Sequence, residues 1–256
     1  MENHRFYLST IAADAAGTAR QYALGLEIAE YCTACNMDEH FSETDAAVRE
    51  KLAGIARVTL HAPFNELFPC AIDPRVRALA ADRFREAIAL AKGYGAEKIV
   101  IHGGYNPQMY YPCWYTEQSA LFWKDFLRED PGVDIVLENV LEEEPEYLLD
   151  IVRSADHPRL GLCLDIGHVN AYSAVPVIDW LKHFAPYLRH FHLHNNDGSF
   201  DAHAPLDEGS IPMKEFLQRA LALCPAATFT LELQEDTARG ARWLLENGFI
   251  TKETNT

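Results

Sequence analysis

Residues 188–208, LRHFHLHNNDGSFDAHAPLDE, form the stretch from which the fold and the chemistry of this chain follow most directly. His190, His192 and His194 alternate with apolar residues, and a β-strand directs alternate side chains to opposite faces, so the three imidazoles share one face. The turn-forming segment NNDG ends the predicted strand, and Asp201 and His203 follow two residues apart. Imidazole and carboxylate groups buried this densely are costly without a cation among them. The stretch therefore predicts a buried strand that ends in a metal site, against the alternative of a solvated polar loop after an edge strand.

The rest of the chain repeats one unit, a short apolar strand followed by a helix. Predicted strands cover residues 6–11, 25–31, 57–61, 97–102, 133–139, 160–165, 188–194 and 228–233. Predicted helices cover residues 14–24, 42–55, 73–94, 117–128, 144–156, 175–184, 212–223 and 237–247. Ser42 and Asp73 have side chains that cap helix N-termini, and Pro74 suits a first helical turn. Continuous apolar strands are typical of a parallel sheet covered on both faces. Eight such units predict a single (β/α)8 TIM barrel over residues 1–256, with an open doubly wound sheet as the second choice.

Side chains that bind metals lie at the predicted carboxyl ends of six consecutive strands, the third to the eighth. They are His61, His102, Glu138, Asp165, His168, His192, His194, Asp201, His203 and Glu232. Each alone would more often be a hydrogen-bonded rim residue, but the strand ends of a barrel converge on one mouth, where barrel enzymes carry their chemistry. Mixed imidazole and carboxylate ligation suits Zn²⁺, Mn²⁺, Co²⁺ or Fe²⁺ rather than Ca²⁺. We therefore expect a divalent transition metal as the cofactor.

Composition restricts the partners and the compartment. The chain carries 22 basic and 38 acidic side chains, a formal net charge of −16, which repels polyanions and membrane surfaces and so argues mildly against nucleic acid as the partner. The N-terminus lacks the pattern of a signal peptide, and no apolar run is long enough to cross a membrane. Six scattered cysteines are typical of reduced cytosolic thiols. Cys32 and Cys35 have CxxC spacing without a second pair, which favours packing over redox or zinc use. A cytoplasmic enzyme is expected.

Two motifs carry a resemblance to a known family. The segments LCLDIGH, at 162–168, and DAHAPLDEGSI, at 201–211, resemble the C-x-D-x-x-H and D-x-H-x-x-x-G-E-G-x-I patterns of the xylose isomerase-like barrel superfamily. That superfamily includes sugar isomerases, sugar epimerases and endonuclease IV (AP endonuclease family 2). Asp207 stands where the first glycine is usual, so the turn there is expected to differ slightly. The motifs extend from His61 to Glu232, so the resemblance covers nearly the whole chain.

The resemblance implies a set of metal ligands. The sugar-converting members hold one divalent metal with two Glu, an Asp and a His. The corresponding residues here are Glu138, Asp165, His192 and Glu232. Endonuclease IV adds His and Asp ligands that hold three zinc ions. The corresponding residues here are His61, His102, His168, Asp201 and His203. The match on strand seven is ambiguous. If the segment HLHN, at 192–195, corresponds to the family's H-L-x-D pattern, the ligand is His192. If the segment HNND, at 194–197, corresponds to an H-x-x-D pattern, the ligand is His194. We favour His192 as the ligand and assign His194 to the substrate.

The favoured prediction is a divalent-metal-dependent isomerase or epimerase of a sugar or sugar-like small molecule. Glu138 and Glu232, on opposite sides of the barrel, would act as acid and base at the carbon next to a metal-polarised carbonyl. The aromatic segment 103–115 offers Tyr105 and Trp114 to wall a sugar face, although a capping cluster over the next helix explains the segment equally well.

The alternative is an endonuclease IV-type phosphodiesterase with a multinuclear zinc site. Binding the DNA backbone needs Lys or Arg on the rim. The predicted loops YCTACNMDEHF, APFNELFP, GGYNPQMYYPCWY, NVLEEEP and NNDGSFDAH contain none, so a neutral sugar is favoured. A third hypothesis, a metal-binding barrel without activity, has no missing ligand to support it. The identity of the substrate, the number of metal ions and the oligomeric state stay open at this point.

Overall fold

Eight parallel strands close into a barrel in the computed structural model, which describes residues 3–252. The order around the barrel follows the chain, and the last strand pairs with the first. The strands are β1 (Phe6–Ser9), β2 (Gly25–Ile28), β3 (Val58–His61), β4 (Lys98–His102), β5 (Asp134–Glu138), β6 (Leu160–Asp165), β7 (Leu188–Leu193) and β8 (Thr228–Leu231). The predicted (β/α)8 barrel is confirmed, and the open sheet was the wrong alternative because β8 closes on β1. The first two and last four residues of the predicted domain, 1–2 and 253–256, lie outside the described residues.

Nine α-helices surround the barrel within residues 3–252. They are α1 (Ala15–Tyr22), α2 (Phe41–Leu52), α3 (Pro74–Gly93), α4 (Pro112–Phe126), α5 (Glu146–Ala155), α6 (Ile166–Tyr172), α7 (Val177–Phe184), α8 (Met213–Leu223) and α9 (Thr237–Glu246). Short 3-10 helices at Asn3–Arg5, Glu30–Cys32 and Ala34–Asn36 precede β1 and follow β2. In this described part of the chain, none of the helices has both the length and the apolar composition needed to cross a bilayer.

Capping side chains explain one predicted helix start and not another. Asp73 caps α3 as predicted, since its carboxylate accepts a hydrogen bond from the backbone N–H of Arg75 at 2.8 Å and Pro74 opens the helix. The prediction that Ser42 caps α2 was wrong, because α2 begins at Phe41 and includes Ser42 in its first turn.

Two helices near the barrel mouth differ from the sequence pattern. The helix predicted from residue 117 begins five residues earlier, because Pro112 suits the first turn of a helix. Trp114 therefore lies on α4 and not in a loop. The sequence pattern does not predict α6, which is too short to show an apolar period. Its N-terminus is formed by Asp165, whose side chain accepts a 2.7 Å hydrogen bond from the backbone N–H of His168.

Side-chain alternation in β7 separates an apolar outer layer from a polar interior. Phe191 faces outward, where its ring stacks on Phe229 of β8 at 4.7 Å between centroids and meets Phe216 of α8 at 6.0 Å. His190 and His192 face inward and are fully buried. The predicted alternation is thus observed, and it directs the β7 imidazoles into the barrel.

A β-bulge between β6 and β7 sets this orientation. The register shifts between Leu162 and Cys163, so Arg189 of β7 has no residue opposite it. Beyond the bulge, Asp165 pairs with His192. Because one extra residue in a strand exchanges its two faces, the bulge determines that Asp165 and His192 reach the same side of the barrel wall.

Candidate metal centre

Glu138, at the carboxyl end of β5, is the centre of a cluster of imidazoles. Its Oε2 lies 3.1 Å from His61 Nε2 and 3.4 Å from His102 Nε2. Its Oε1 lies 3.1 Å from His192 Nδ1 and 3.5 Å from His168 Nδ1. These imidazoles come from β3, β4, β7 and α6, so four elements meet on one carboxylate.

Asp165 carries the next part of the cluster. Both of its carboxylate oxygens lie 3.1 Å from His194 Nε2. The side chain of Asn139 holds the backbone of Asp165 through two hydrogen bonds of 2.9 Å. A Cβ atom at Gly167 would overlap the His194 imidazole, so a residue without a side chain is required there. The side chain of Asn139, directly after β5, and the glycine at position 167 of α6 thus fix where Asp165 and His194 meet.

The loop between β7 and α8 completes the open side of the cluster. Asp201 Oδ2 lies 2.9 Å from His203 Nε2 and 3.3 Å from His168 Nε2. His203 donates from Nδ1 to the backbone carbonyl of Glu232 at 2.8 Å, and its ring stacks on that of His194 at 4.0 Å. His203 adopts a left-handed backbone, φ 46°, which turns its side chain back towards the strand ends.

His192 lies among three carboxylates. Its Nδ1 is 3.1 Å from Glu138, 3.3 Å from Glu232 and 3.7 Å from Asp165. The structure therefore brings together the four residues implied by the sugar-converting members of the superfamily. His194 lies in the same cluster but contacts Asp165 and, at 3.6 Å, Asp201. Both histidines are near carboxylates, and His192 has the position at the centre.

The donor set fits a divalent cation. Within the described residues, the groups of side chains whose ligand atoms lie within 4.8 Å of one another include His61/His102/Glu138, His61/His192/Glu232, His168/Asp201/His203, His194/His203/Glu232 and Glu27/His190/His192. The buried atoms of the cluster that have no hydrogen-bond partner within residues 3–252 include His194 Nδ1 and Asp201 Oδ1. Unsatisfied buried polar atoms are costly, and a cation held by the cluster would supply the missing interactions.

Burial and neighbouring charges act in opposite directions on the titratable groups. Burial opposes protonation of His168, but the carboxylates, Asp165 foremost, outweigh it and raise the pKa to about 10. The same balance raises the pKa of His203 to about 9. At His102 burial prevails and lowers the pKa to about 3. Burial works to raise the pKa of Glu232, but the imidazole of His192 outweighs it and holds that pKa below its ordinary value. His102 thus offers a lone pair at neutral pH, whereas His168 and His203 hold protons that a metal would displace.

Two aromatic rings flank the imidazoles. Phe64, in the loop after β3, stacks on His102 with 4.3 Å between centroids and meets His61 edge-on at 5.7 Å. Tyr172, at the end of α6, stacks on His168 at 6.3 Å. Sequence reasoning did not select either ring, since a phenylalanine in a loop gives no chemical signal.

The aromatic side chains that the sequence did select are engaged in packing. Tyr105 is 5% exposed, and its ring lies 4.9 Å from that of Tyr115. Trp114 donates its indole N–H to the backbone carbonyl of Cys70 at 2.9 Å. Contacts of Tyr105 and Trp114 with a substrate stay a prediction.

Sequence reasoning also missed two groups that act on the imidazoles, one in the barrel wall and one in the 3-10 helix after β2. Glu27 of β2 is fully buried and lies 3.0 Å from His192 Nε2. Its only sequence signal is a single charge within the apolar strand GLEI. Burial works to lower the pKa of His61, but Cys32 and Glu138 outweigh it and raise that pKa well above its ordinary value.

Known proteins resemble this chain over most of its length. A family model described as xylose isomerase-like TIM barrel matches residues 19–247. An uncharacterized protein of Methanocaldococcus jannaschii is 34% identical over 177 residues, which are 63% of this chain and 59% of the relative. The fructoselysine 3-epimerase of Shigella flexneri is 26% identical over 167 residues, which are 61% of this chain and 58% of the epimerase. The chain spans less than two thirds of the length of either relative.

Solved structures share the fold. A Thermus thermophilus protein, from a crystal soaked with ZnCl2, has a TM-score of 0.77 and 26% identity over 98% of this chain and 100% of its own. A D-tagatose 3-epimerase-like protein has a TM-score of 0.76 and 24% identity over 96% of this chain and 97% of its own. At that identity the second likeness shows the fold alone.

Proposed function

The chain belongs to the xylose isomerase-like TIM barrel family, and on that premise we propose that it is a divalent-metal-dependent isomerase or epimerase of a small sugar-like molecule. The observation that carries the proposal is the environment of His192 Nδ1, where Glu138, Asp165 and Glu232 converge within 3.7 Å. The resemblance to a fructoselysine 3-epimerase supports an epimerase over a hydrolase.

The proposed metal is Zn²⁺, Mn²⁺, Co²⁺ or Fe²⁺, because mixed imidazole and carboxylate donors suit these ions. The residues that would hold it are Glu138, Asp165, His192 and Glu232. A bound divalent cation supplies Lewis acidity, which polarises a substrate carbonyl and acidifies the neighbouring C–H bond. The residues that would hold further ions or orient the substrate are His61, His102, His168, Asp201 and His203.

The proposed acid and base are the two glutamates. Burial works to raise the pKa of both, but His192 outweighs it and holds the pKa of Glu138 and of Glu232 below the ordinary value. Both side chains are therefore carboxylates at neutral pH and accept protons. The side chain of Glu232 is 8% exposed and that of Glu138 1%, so Glu232 is the better placed to remove the proton from the carbon next to the carbonyl. Glu232 then holds that proton and can return it to the neighbouring carbon, which completes an isomerisation. An epimerisation needs a proton delivered to the opposite face, which Glu138, on β5, would supply after taking one from solvent.

The proposed substrate is neutral. The described segments between each strand and the next helix contain neither Lys nor Arg, so no ammonium or guanidinium group is available there to bind a phosphate. The side chains proposed to contact a sugar are His194, Tyr105 and Trp114, together with the ring of Phe64 beside His102. Their shared property is a polar tip or a flat apolar face, which suits hydroxyl groups and a sugar ring.

A second candidate function is a multinuclear phosphodiesterase of the endonuclease IV type. The triads His61/His102/Glu138 and His168/Asp201/His203 flank His192 and favour more than one ion. The absence of Lys and Arg from the described strand-end segments counts against it, because DNA binding depends on neutralising phosphates. A barrel that binds metal without turnover is the third candidate.

Exchange with heavy water tests the proposal. The protein, reconstituted with Mn²⁺, Co²⁺ or Zn²⁺, is incubated with neutral ketoses and aldoses in D2O and followed by NMR. Isomerisation or epimerisation should place deuterium on the carbon next to the carbonyl and produce a second sugar. Glu232→Gln should abolish exchange, whereas Glu235→Gln, three residues on and exposed, should not.

The two other candidate functions predict different results with the same metal-reconstituted protein. Incision of a duplex with an abasic site, without sugar exchange, would replace the proposal by the phosphodiesterase. Tight metal binding with neither reaction would favour the barrel without turnover.

A further inference from the structure

The barrel interior beneath the metal cluster is polar on the side formed by β2, β3, β7 and β8, whereas Val100, Val136 and Cys163 form a small apolar cluster on the side of β4–β6. TIM barrels usually fill this space with layers of branched apolar side chains. Here Glu27, Thr59, His190 and Thr230 occupy it, all with no exposed surface. Burying a carboxylate is expensive unless other groups bond it. The polar layer therefore requires an explanation beyond packing.

The two oxygens of Glu27 have different surroundings. Oε2 accepts hydrogen bonds from Thr59 at 2.9 Å and Thr230 at 3.0 Å, and lies 3.0 Å from His190 Nε2. Oε1 has no hydrogen-bond partner within residues 3–252 and lies 3.0 Å from His192 Nε2, which also has none. Three neighbours thus hold one oxygen in place and leave the other facing a single imidazole nitrogen.

The opposite nitrogen of His192 faces the cluster. Its Nδ1 lies 3.1 Å from Glu138 and 3.3 Å from Glu232. A neutral imidazole carries one N–H and one lone pair. If Nδ1 gives its lone pair to a metal, the proton must sit on Nε2, where Glu27 is the carboxylate within reach.

We propose that Glu27 is a positioning residue that accepts the Nε2–H of His192 and thereby keeps Nδ1 directed at the metal. The inference rests on the metal site of the proposed function. Carboxylates that bond the outer nitrogen of a ligating histidine fix its tautomer and its ring orientation. The pair lies at a hydrogen-bond distance of 3.0 Å but lacks the alignment of a hydrogen bond, so the proposal requires the ring to rotate as it takes up its ligand position.

His190 supports Glu27 and is not itself a ligand in this proposal. Its Nε2 is 2.9 Å from Thr230 Oγ1 and its Nδ1 is 2.6 Å from Thr228 Oγ1. Thr228 in turn accepts a 2.7 Å hydrogen bond from the buried ammonium of Lys98. Glu27, His190 and His192 have ligand atoms within 4.8 Å of one another. Because both nitrogens of His190 already have hydroxyl partners, the proposal assigns this layer to holding a carboxylate in place and not to a second metal site.

Metal affinity of Glu27 variants tests the proposal. Zn²⁺ or Mn²⁺ is titrated against a chelator for the wild type, Glu27→Gln, Glu27→Ala and the control Thr59→Val, which removes a donor to the other oxygen. We expect Glu27→Ala to bind about 10- to 100-fold more weakly. Glu27→Gln, which keeps an acceptor without the charge, should be intermediate, and Thr59→Val should stay close to the wild type. Circular dichroism of each metal-free variant identifies any that has failed to fold.

A second measurement separates positioning from a general loss of structure. In Zn²⁺-loaded protein labelled with ¹⁵N-histidine, the wild type and Thr59→Val should show a slowly exchanging Nε2–H on His192. In Glu27→Gln this signal should move and exchange faster. That change, in a variant that is folded, is not expected from a residue that serves packing alone.

Three outcomes would overturn the inference. Equal affinity of wild type, Glu27→Gln and Glu27→Ala would show that Glu27 does not position His192. Loss of one whole metal equivalent in Glu27→Gln, with the affinity of the others unchanged, would make Glu27 a ligand. A wild type that binds no metal would overturn both this inference and the proposed function, whereas the first two outcomes leave the proposed function in place.

Discussion

Replacing Glu138 by glutamine is the most direct test of the metal centre, because this carboxylate contacts imidazoles from four elements. The substitution preserves the shape of the side chain and removes its charge. Losing a residue that merely orients a ligand weakens metal binding by about 10- to 100-fold. Losing a ligand should therefore cost at least about 100-fold, which is about 2.8 kcal/mol of binding free energy.

Thermal unfolding converts this loss into a measurable shift. A metal that binds only the folded chain stabilises it by about 2.7 kcal/mol when the free metal is 100 times the Kd. At the same concentration, a variant with a 100-fold larger Kd gains only about 0.4 kcal/mol. In a protein of this length 1 kcal/mol moves Tm by about 2–4 °C, so the metal-induced shift should fall from roughly 5–10 °C to about 1 °C.

Glu142→Gln is the matched control. Glu142 is also a buried carboxylate just after β5, but it bonds the hydroxyl of Tyr115 at 2.6 Å and the backbone N–H of Val140 at 2.7 Å. Its variant should keep the metal-induced rise in Tm. If Glu138→Gln kept the full rise, or if both variants lost it equally, the assignment of Glu138 as a metal ligand would be refuted.

Asp165→Asn and Glu232→Gln should each lose bound metal, measured as metal content, or turnover, measured as deuterium exchange. Asparagine at position 165 can still cap α6, so the fold of the first variant should be preserved. With a chelator present to keep the protein free of metal, the urea concentration at the unfolding midpoint should fall as the pH rises through about 9 and then about 10. These are the values to which the pKa of His203 and the pKa of His168, respectively, are raised. That stabilisation is fully present below the unfolded pKa of about 6.5. The lowered pKa values of Asp165 and Glu232 add stability that is present above about pH 4 and lost as the pH falls further. Gly167→Ala should cost about 1–3 kcal/mol in urea denaturation and weaken metal binding, because the added methyl overlaps the adjacent imidazole.

Controls accompany these three predictions. Gly17→Ala places a methyl on α1 with no atom within 4 Å and should stabilise the protein by about 0.5–1 kcal/mol. Saturating metal should flatten the alkaline loss of stability, because metal displaces the same protons. If Asp165→Asn and Glu232→Gln both keep full metal and full turnover, the ligand assignment is wrong. Stability that still rises above pH 9 would contradict the charges assigned to His168 and His203.

The barrel could be predicted because its signals are local. Short apolar strands alternate with amphipathic helices, and Asp73-Pro74 marks a helix start within two residues. The errors have local causes as well. α6 is short and depends on the side chain of Asp165 for its N-terminus, and Pro112 begins α4 inside a segment whose aromatic residues suggest a loop.

The positions of the candidate ligands at the strand ends follow from the same alternation of strands and helices, whereas the side chains that each ligand contacts do not. Strand ends in a barrel share one mouth, so His61, Glu138 and Glu232 could be expected near one another from their positions in the chain alone. The contacts between Glu138 and four imidazoles could not be expected from the sequence, because they depend on the tilt and register of strands that are far apart in the chain.

By itself, then, the amino-acid sequence determined the closed barrel and the inventory of imidazoles and carboxylates at its mouth, since periodicity and strand ends are properties of neighbouring residues. Tertiary structure alone decided that Glu27 lies against His190, 163 residues away, and that His192 takes the central position. The physical reason is the register of β7, which the bulge at Arg189 sets: one residue more or less in that strand would turn the same histidines towards the helices.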